Sequence, residues 1–271
     1  PLPGSVPYEN QRVMRVKQVF GGLTLLDFLC HHHPPTDRGN WIRWIADGDI
    51  TINGQPAQSD QLVVAGQRFI HTMHGVVEPD VDSLVRIIHE DESIVVVDKP
   101  APLPVHPSGR FNRNTLLRLL GSVYPDDSLK IIHRLDANTT GIIVFGRTAK
   151  AVHHLQSQFL GRTVRKEYLA RVNGGVPWDH HHCALPIGNP AEMMPAKNTC
   201  GSRVAHPDGL PAETMFRVQA VLDDGSTLIQ AVPLTGRTHQ IRVHLWSLGY
   251  PIIGDPLYLA DGQQGGQQML G

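Results

Sequence analysis

One short segment, together with the apolar run that follows it, constrains the fold of this chain more than any other feature. Residues 132–141 contain Arg134 and Asp136 two positions apart, and residues 142–145 are all apolar. Side chains two positions apart project to the same side of an extended segment. The threonines and glycine at 139–141 predict a turn, and the apolar run predicts a buried strand after it. A carboxylate held in this way suits a preorganised nucleophile or base, and an ion pair that only closes the loop fits the pattern equally well.

The charge distribution bears on the possible partners. The chain has 271 residues, a formal net charge of -1 and a sequence pI of about 7.1, so no overall positive field predicts a nucleic-acid partner. The cations are nevertheless clustered along the sequence, and a local cluster can attract an anion where the net charge cannot. The clusters are Arg110, Arg113 and Arg118; Arg162, Arg165, Lys166 and Arg171; and Arg237 with Arg242.

The sequence also limits the cellular context. The 3 cysteines are widely spaced and odd in number, so they do not predict a disulfide framework. No apolar run approaches the roughly 18–20 residues of a membrane span, and the first residues lack the pattern of a signal peptide. We therefore expect a cytoplasmic protein that has no membrane partner.

The first part of the chain predicts a small α/β domain at residues 11–75, after an irregular, proline-rich start at 1–10. The predicted elements are helices at 23–29 and 41–45, the second ending at Gly48, a strand at 50–52, a hairpin turn at Asn53-Gly54, and a returning strand at 63–66 and 69–70. Two short helices before a glycine-rich hairpin resemble the αL-type RNA-binding domain of one ribosomal protein and of many RNA-modifying enzymes.

The rest of the chain predicts a larger, strand-rich domain of the α+β class. Residues 76–84, which include Glu78-Pro79-Asp80, predict a linker, and the larger domain then covers residues 85–260. The predicted elements are strands at 94–97, 141–145, 166–172 and 227–232, and helices at 149–160 and 239–248. The glutamine- and glycine-rich residues 261–271 predict a disordered tail.

Four further motifs accompany the first segment in a fixed order. They are Val97-Asp98-Lys99-Pro100, Pro104-Val105-His106-Pro107, Arg165-Lys166-Glu167-Tyr168-Leu169, and LTGRTHQIRVH at 234–244. In this order and spacing they closely resemble the RluA family of RNA pseudouridine synthases, over about residues 93–258. The resemblance implies a mixed, largely antiparallel-sheet catalytic domain that isomerises specific uridines in RNA without a cofactor. The expected partner is RNA, either tRNA or rRNA, and we expect a monomer.

The resemblance implies catalytic roles for Asp136, Tyr168 and Arg242. Asp136 would be the carboxylate near the anomeric centre, as nucleophile on the sugar or as base at the neighbouring ribose carbon, and the sequence leaves both open. Tyr168 would stack on the loose base and relay a proton, although a tyrosine in a strand is more commonly a buried structural residue. Arg242 would keep Asp136 ionised, because a planar guanidinium suits a carboxylate; alternatively it is an exposed cation of a helix.

Five further residues are candidates for binding RNA. The target uridine must leave the RNA stack, and the resemblance implies that Arg134 fills the vacated space or binds a phosphate. His106 is a candidate substrate contact, with a structural role at a turn as the favoured alternative. Arg110, Arg165 and Arg237 are candidate phosphate contacts, for each of which a solvated surface position is the alternative.

The class of RNA is the least constrained expectation. Residues 104–111 with Asn114-Thr115 look most like the eukaryotic-type branch of the family, which modifies tRNA anticodon loops, so tRNA is modestly favoured over rRNA. The sequence has Pro102 where the family pattern has glycine, and Ala137-Asn138 where the family usually has a charged pair. Neither departure removes a reactive group.

Two rival functions are also open to such a chain. The 16 histidines, with runs at 31–33 and 180–182, raise the possibility of a metalloenzyme. Adjacent histidines point in successive directions, so only alternate ones could chelate, and we expect no metal site. A catalytically silent RNA-binding protein on a synthase fold is the second rival, and the presence of Asp136, Tyr168 and Arg242 together disfavours it.

Overall fold

The computed structural model of the chain describes residues 1–125, 128–193 and 201–260. These residues form two compact units, one up to Asp80 and one from Val81. The division falls within residues 76–84, and residues 77–85 contain no helix or strand. The role of this segment as a linker stays a prediction. The expected disordered tail at 261–271 lies outside the described residues.

The first unit combines a four-stranded antiparallel sheet with two helices. Its elements are β1 (Tyr8–Arg15), a 3₁₀ turn (Gln18–Phe20), α1 (Leu25–His32), α2 (Arg38–Ala46), β2 (Ile50–Ile52), β3 (Gln55–Pro56) and β4 (Arg68–Val76). The strand order is β1-β4-β2-β3. Thr24 begins α1 by accepting the backbone N–H of Asp27, and Asp37 begins α2 in the same way from Gly39. The apolar faces of the helices enclose a core against β2 and β4 that includes Leu25, Phe28, Leu29, Trp41, Ile45, Ile50 and Phe69.

Two predictions for this unit are wrong. The start at 1–10 is not irregular throughout, because β1 begins at Tyr8 and pairs along β4. The turn at Asn53-Gly54 forms, with left-handed φ angles of 51° and 78° at its two residues. However, the strand that returns directly from it is β3, and residues 63–66 form no strand. Residues 69–70 of the predicted return are confirmed as strand, since they lie in β4 and pair with β2. The two predicted helices and the strand at 50–52 are confirmed.

The second unit contains two larger antiparallel sheets and a short two-stranded one. Its elements are β5 (Arg86–Glu90), β6 (Ile94–Lys99), α3 (Leu116–Val123), β7 (Lys130–Ile131), β8 (Gly141–Gly146), α4 (Ala149–Leu160), β9 (Tyr168–Val172), β10 (His180–Cys183), β11 (Ile187–Gly188), α5 (Pro190–Met193), β12 (Val204–Ala205), β13 (Thr214–Val221), β14 (Thr227–Pro233) and α6 (Gln240–Ser247). The sheets have the orders β5-β6-β8-β7, β10-β13-β14-β9 and β11-β12.

Alternating residues of the central strands make the cores of the second unit. Val95 and Val97 of β6 and Ile143 and Phe145 of β8 are fully buried together with Leu116 of α3. This alternation is the period of two that a half-buried strand requires. In the other large sheet, β9, β13 and β14 place residues such as Val172, Phe216 and Ile229 against Leu245 of α6.

Most predicted elements of the second unit are confirmed. The helix at 149–160 agrees with α4, and the strands at 94–97, 141–145 and 227–232 and the helix at 239–248 agree within two residues at each end. The strand predicted at 166–172 begins only at Tyr168. Every pairing between the described strands is antiparallel, which confirms the α+β class with a largely antiparallel sheet.

Candidate active site

Asp136 lies in the loop between β7 and β8, and its side chain is 28% exposed. Its carbonyl accepts the N–H of Thr139, which makes the predicted turn. The next carbonyl, that of Ala137, accepts the N–H of Leu103 at 2.9 Å and the Nζ of Lys99 at 3.1 Å. The loop that carries Asp136 is therefore fixed to the segment that follows β6.

Lys99 is the buried anchor of this loop. Its side chain is 0% exposed, and its Nζ also donates to the carbonyls of Pro100 and Leu103, both at 2.8 Å. Burial lowers the pKa of Lys99 to about 8, and the negative charge of Asp136 opposes that shift. The sequence placed Lys99 in a motif but indicated no role for it. Two of the carbonyls that hold it are within four positions, whereas the third, that of Ala137, is 38 positions away.

The structure brings Arg242 of α6 against Asp136. Nη1 of Arg242 donates to Oδ2 of Asp136 at 2.9 Å. Nε and Nη2 of the same guanidinium donate to the two carboxylate oxygens of Asp255, at 2.7 and 2.8 Å. Burial opposes the charge of Arg242, whose side chain is 12% exposed, but the two carboxylates outweigh burial and raise its pKa. Arg242 therefore stays charged and links the two acids.

Asp255 is a functional candidate that sequence analysis missed. Its side chain is only 4% exposed, and it also accepts the backbone N–H groups of Leu257 and Tyr258. Burial raises the pKa of Asp255, but the hydrogen bonds and the charge of Arg242 outweigh burial and hold it below its usual value. A buried guanidinium has five N–H donors and needs more than one carboxylate. Asp255 is the next acid after Arg242 in the sequence, which is the signal that could have found it.

His239 and Tyr258 complete the described surroundings of Asp136. His239 precedes α6, and its Nε2 is 3.8 Å from Oδ2 of Asp136. Its Nδ1 is 2.9 Å from the hydroxyl oxygen of Tyr258, whose ring also lies under the guanidinium of Arg242 at 5.0 Å from its centre. Neither residue was given a role from the sequence, although His239 lies in the motif at 234–244.

Tyr168 is the first residue of β9 and lies opposite Ala231 of β14. Its side chain is half-buried, and burial raises the pKa of its hydroxyl. The negative charge of Asp136 raises that pKa further, so the phenol stays protonated near neutral pH. Of the three catalytic candidates, Asp136 thus interacts with both others, through a hydrogen bond from Arg242 and electrostatically with Tyr168.

The same part of the chain has recognisable relatives. Residues 93–247, which include all the residues of this cluster except Tyr258 and Asp255, match the family described as RNA pseudouridylate synthase. The chain belongs to this family.

Relatives of known name share most of the chain. The human "Pseudouridylate synthase RPUSD2" is 37% identical over 78% of this chain, but the chain covers only 38% of that protein's length. The "Ribosomal large subunit pseudouridine synthase D" of Nitrosomonas europaea is 36% identical, with 94% of this chain and 74% of the relative covered. The yeast "tRNA pseudouridine(32) synthase, mitochondrial" (Saccharomyces cerevisiae) is 30% identical, with 96% and 56% covered.

A solved structure gives the same result for the fold. The structure titled "Human RNA Pseudouridylate Synthase Domain Containing 1" is 26% identical to this chain and superposes with a TM-score of 0.55. The match covers 68% of this chain and 73% of the human one. The α+β architecture of the second unit is thus that of a pseudouridylate synthase domain.

The structure brings two of the RNA-binding candidates of this family member together. Arg134 is exposed, and its Nη1 lies 2.5 Å from Nε2 of His106. Nδ1 of His106 lies 2.9 Å from the carbonyl of Pro107 and donates to it. Nε2 is then the acceptor for Arg134, which requires a neutral imidazole. His106 therefore holds the guanidinium of Arg134 through a hydrogen bond.

The other three candidates are Arg165, Arg237 and Arg110. Arg165 is largely exposed and forms an ion pair with Glu167. Arg237 donates from its Nε to the carbonyl of Pro211 at 3.0 Å. Arg110 is exposed.

The first unit carries a basic groove of its own. Arg15, Lys17 and His32 line it together with Val16, Gln18, Ala65 and Gly66, and it encloses about 650 Å³. Two other cations of this unit have partners. Arg38 pairs with Asp27 at 2.9 Å, and Arg43 donates to the side chain of Asn40 at 3.1 Å.

The histidine runs are accounted for by local contacts. Nδ1 of His31 donates to the carbonyl of Asp27 at 2.7 Å, and His33 bonds to Thr36. On β10, His180 and His182 are exposed, whereas His181 points to the other face and packs on Trp178. Within residues 1–125, 128–193 and 201–260, no three histidine, cysteine, aspartate or glutamate side chains form a group that could hold a metal ion. Over the same residues, no helix has the length and apolar character needed to cross a bilayer.

Proposed function

We propose that this chain isomerises specific uridines of RNA to pseudouridine and that Asp136 is the essential carboxylate. The reaction detaches the base from its ribose, rotates it and joins it again through a ring carbon. The observation that carries the proposal is the cluster in which Arg242, itself held by Asp255, binds one oxygen of the partly exposed Asp136. Because a buried cation already fixes this carboxylate, little conformational entropy is lost when it contacts a substrate.

Arg242 donates a charged hydrogen bond to the carboxylate of Asp136. A permanent positive charge within hydrogen-bond distance favours the charged form of a carboxylate, and a charged carboxylate is needed both for attack on the sugar and for removal of a proton from it. Asp136 acts by one of these two routes. Asp255 acts through Arg242, because its two hydrogen bonds fix the plane of the guanidinium.

Tyr168 is the aromatic surface for the detached base. Its ring is half-buried at the start of β9, within electrostatic reach of Asp136. Because its hydroxyl stays protonated near neutral pH, Tyr168 can donate a hydrogen bond to the base while it rotates.

Arg134 assists extrusion of the uridine. Its exposed guanidinium is held at one end by His106, so it can stack into the space that the base leaves or bind a neighbouring phosphate. Arg110, Arg165 and Arg237 are proposed contacts with the RNA backbone. The groove of Arg15, Lys17 and His32 supports a second RNA contact on the small unit, as expected of an αL-type domain.

The substrate we propose is a hairpin loop, with tRNA favoured modestly over rRNA. The names of the yeast and Nitrosomonas relatives include a tRNA and a large-subunit rRNA enzyme, respectively. The likeness of residues 104–115 to the eukaryotic-type branch favours tRNA. Uridines in a loop are already partly unstacked, which lowers the cost of extrusion. We further propose that the protein is cytoplasmic, monomeric and independent of a cofactor.

Release of tritium from RNA labelled at carbon 5 of uridine tests this function. Isomerisation exchanges that hydrogen with water, so the purified chain is expected to release tritium from tRNA or rRNA transcripts and to leave a pseudouridine that chemical mapping locates. Binding of the RNA without release from either transcript would support the silent RNA-binding protein instead.

A further inference from the structure

The residue before α6, His239, has a left-handed backbone conformation. Its φ and ψ are 58° and 19°, in a region that few residues other than glycine occupy, although asparagine, aspartate and histidine are enriched among them. Its side chain is 13% exposed and lies between the carboxylate of Asp136 and the ring of Tyr258. Strained backbone of this kind persists where surrounding contacts hold it, and it is enriched at functional sites.

The hydrogen bonds of Tyr258 favour one of the two neutral tautomers of His239. The hydroxyl oxygen of Tyr258 accepts the backbone N–H of Arg203 at 2.8 Å. Its own proton is then available for Nδ1 of His239, 2.9 Å away. A neutral imidazole that accepts at Nδ1 must carry its proton at Nε2, the nitrogen that faces Asp136.

Burial keeps His239 neutral. Burial lowers the pKa of His239 to about 4, and the cations Arg242 and Arg203 lower it as well, against the opposing effect of Asp136 and Asp255. The ring therefore presents a neutral N–H dipole to Asp136 over the working pH range.

Both groups that approach the carboxylate of Asp136 approach the same oxygen. Nη1 of Arg242 is 2.9 Å from Oδ2, and Nε2 of His239 is 3.8 Å from Oδ2. The distance from His239 is longer than a hydrogen bond, and contacts of this kind commonly shorten when a substrate closes the site. A donor at Nε2 that closes on Oδ2 beside Arg242 orients the carboxyl group so that Oδ1 is left for the substrate.

We propose that His239 is a positioning residue, held as its Nε2–H tautomer by Tyr258, that together with Arg242 engages Oδ2 of Asp136 and presents Oδ1 as the reacting oxygen. This assignment rests on the proposed function. The two residues differ in what they supply. Arg242 supplies a charge, whereas His239 supplies a directed donor that restricts rotation of the carboxyl group.

Two substitutions of His239 distinguish a hydrogen-bond donor at the position of Nε2 from a side chain that only fills the space of the ring. The amide nitrogen of glutamine in His239→Gln reaches the position of Nε2, whereas the shorter asparagine in His239→Asn reaches only that of Nδ1. Asparagine is the better residue for a left-handed backbone, so backbone strain works against the glutamine variant. We expect His239→Asn to lower the single-turnover rate on a labelled stem-loop by about tenfold or more, and His239→Gln to retain most of it. The affinity for the RNA is expected to stay within about twofold in both.

A second variant completes the test. Tyr258→Phe removes the hydroxyl that sets the tautomer. In a double-mutant cycle its effect on the rate is expected to be much smaller in the His239→Asn background than in wild type.

The control is His180→Asn on the exposed edge strand β10, which should leave the rate unchanged. Equal losses in His239→Gln and His239→Asn, or additive effects with Tyr258→Phe in an active, folded protein, would overturn the assignment and leave the proposed function intact. A wild-type chain that releases no tritium from any RNA would overturn both.

Discussion

Replacing Asp255 by asparagine tests the part of the site that fixes Arg242. Asparagine keeps the shape and the oxygen that accepts the N–H groups of Leu257 and Tyr258, but it lacks the charge and one of the two acceptors for Arg242. Because Asp255 is 4% exposed, its ion pair with Arg242 is poorly screened by water. Removing one partner of a buried pair typically costs about 3–5 kcal/mol, and the retained oxygen places this variant near 3.

The loss of folding free energy in Asp255→Asn is large enough to measure, and it depends on pH. For a unit of this length, about 3 kcal/mol lowers the melting temperature by roughly 6–12 °C. The pKa of Asp255 is lowered in the folded chain, so its charge stabilises the fold fully above its ordinary value of about 3.9, and this stabilisation is lost as the pH falls through the folded value. The difference between wild type and Asp255→Asn is therefore expected to be constant around pH 7 and to shrink only below about pH 4.

Thermal unfolding followed by circular dichroism measures this difference, and single-turnover tritium release measures its effect on the reaction. We expect the rate to fall at least about tenfold, because Arg242 loses the clamp that directs Nη1 to Asp136. Asp224→Asn is the matched control, since Asp224 also pairs with an arginine, Arg171, but in an exposed position where such pairs contribute little. Equal shifts in melting temperature for the two variants, or full activity in Asp255→Asn, would refute the reasoning.

Three further predictions concern RNA and metal ions. Arg15→Ala combined with Lys17→Ala should weaken RNA affinity and make its salt dependence shallower without changing the reaction rate of the bound complex. Arg38→Ala should weaken affinity less, because the guanidinium of Arg38 already pairs with Asp27. Binding titrations at several salt concentrations measure both effects. The chain should modify a uridine in an isolated stem-loop but not the same uridine paired in a duplex, and equal rates on both would exclude loop recognition. Treatment with chelators should leave the rate on a pre-folded stem-loop unchanged, because the isomerisation moves no electron and needs no metal-bound hydroxide; activity that is lost and then restored by one specific ion would revive the metalloenzyme.

Local sequence patterns predicted most of the regular structure. The helix at 149–160 was predictable because Thr148 caps it and its apolar residues recur at helical spacing, and the strands around 95 and 143 were predictable from continuous apolar runs. The strand β1 was missed because Glu9, Gln11 and Arg12 interrupt its apolar residues. Its pairing with β4, some sixty residues later, is what makes it a strand.

Only site residues that lie within the sequence motifs could be predicted. The pairing of Asp136 with Arg242 joins residues 106 positions apart, and the resemblance to the RluA family was the only guide to it. Lys99 was in a quoted motif, but its role depends on the carbonyl of Ala137, 38 positions later. Asp255 and Tyr258 follow the last motif altogether. No local pattern indicates which distant group will satisfy a buried charge.

Asp136→Asn tests the central claim most directly. The variant preserves the size of the side chain and an oxygen that can accept from Arg242, but it has neither a nucleophilic nor a basic carboxylate. RNA binding is expected to remain nearly unchanged, while tritium release from a labelled stem-loop at saturating enzyme falls below a few per cent of the wild-type rate, in line with the typical contribution of such a group. Tritium release by Asp136→Asn at a substantial fraction of the wild-type rate would contradict the account, because the reaction would then proceed without the carboxylate around which the whole site is arranged.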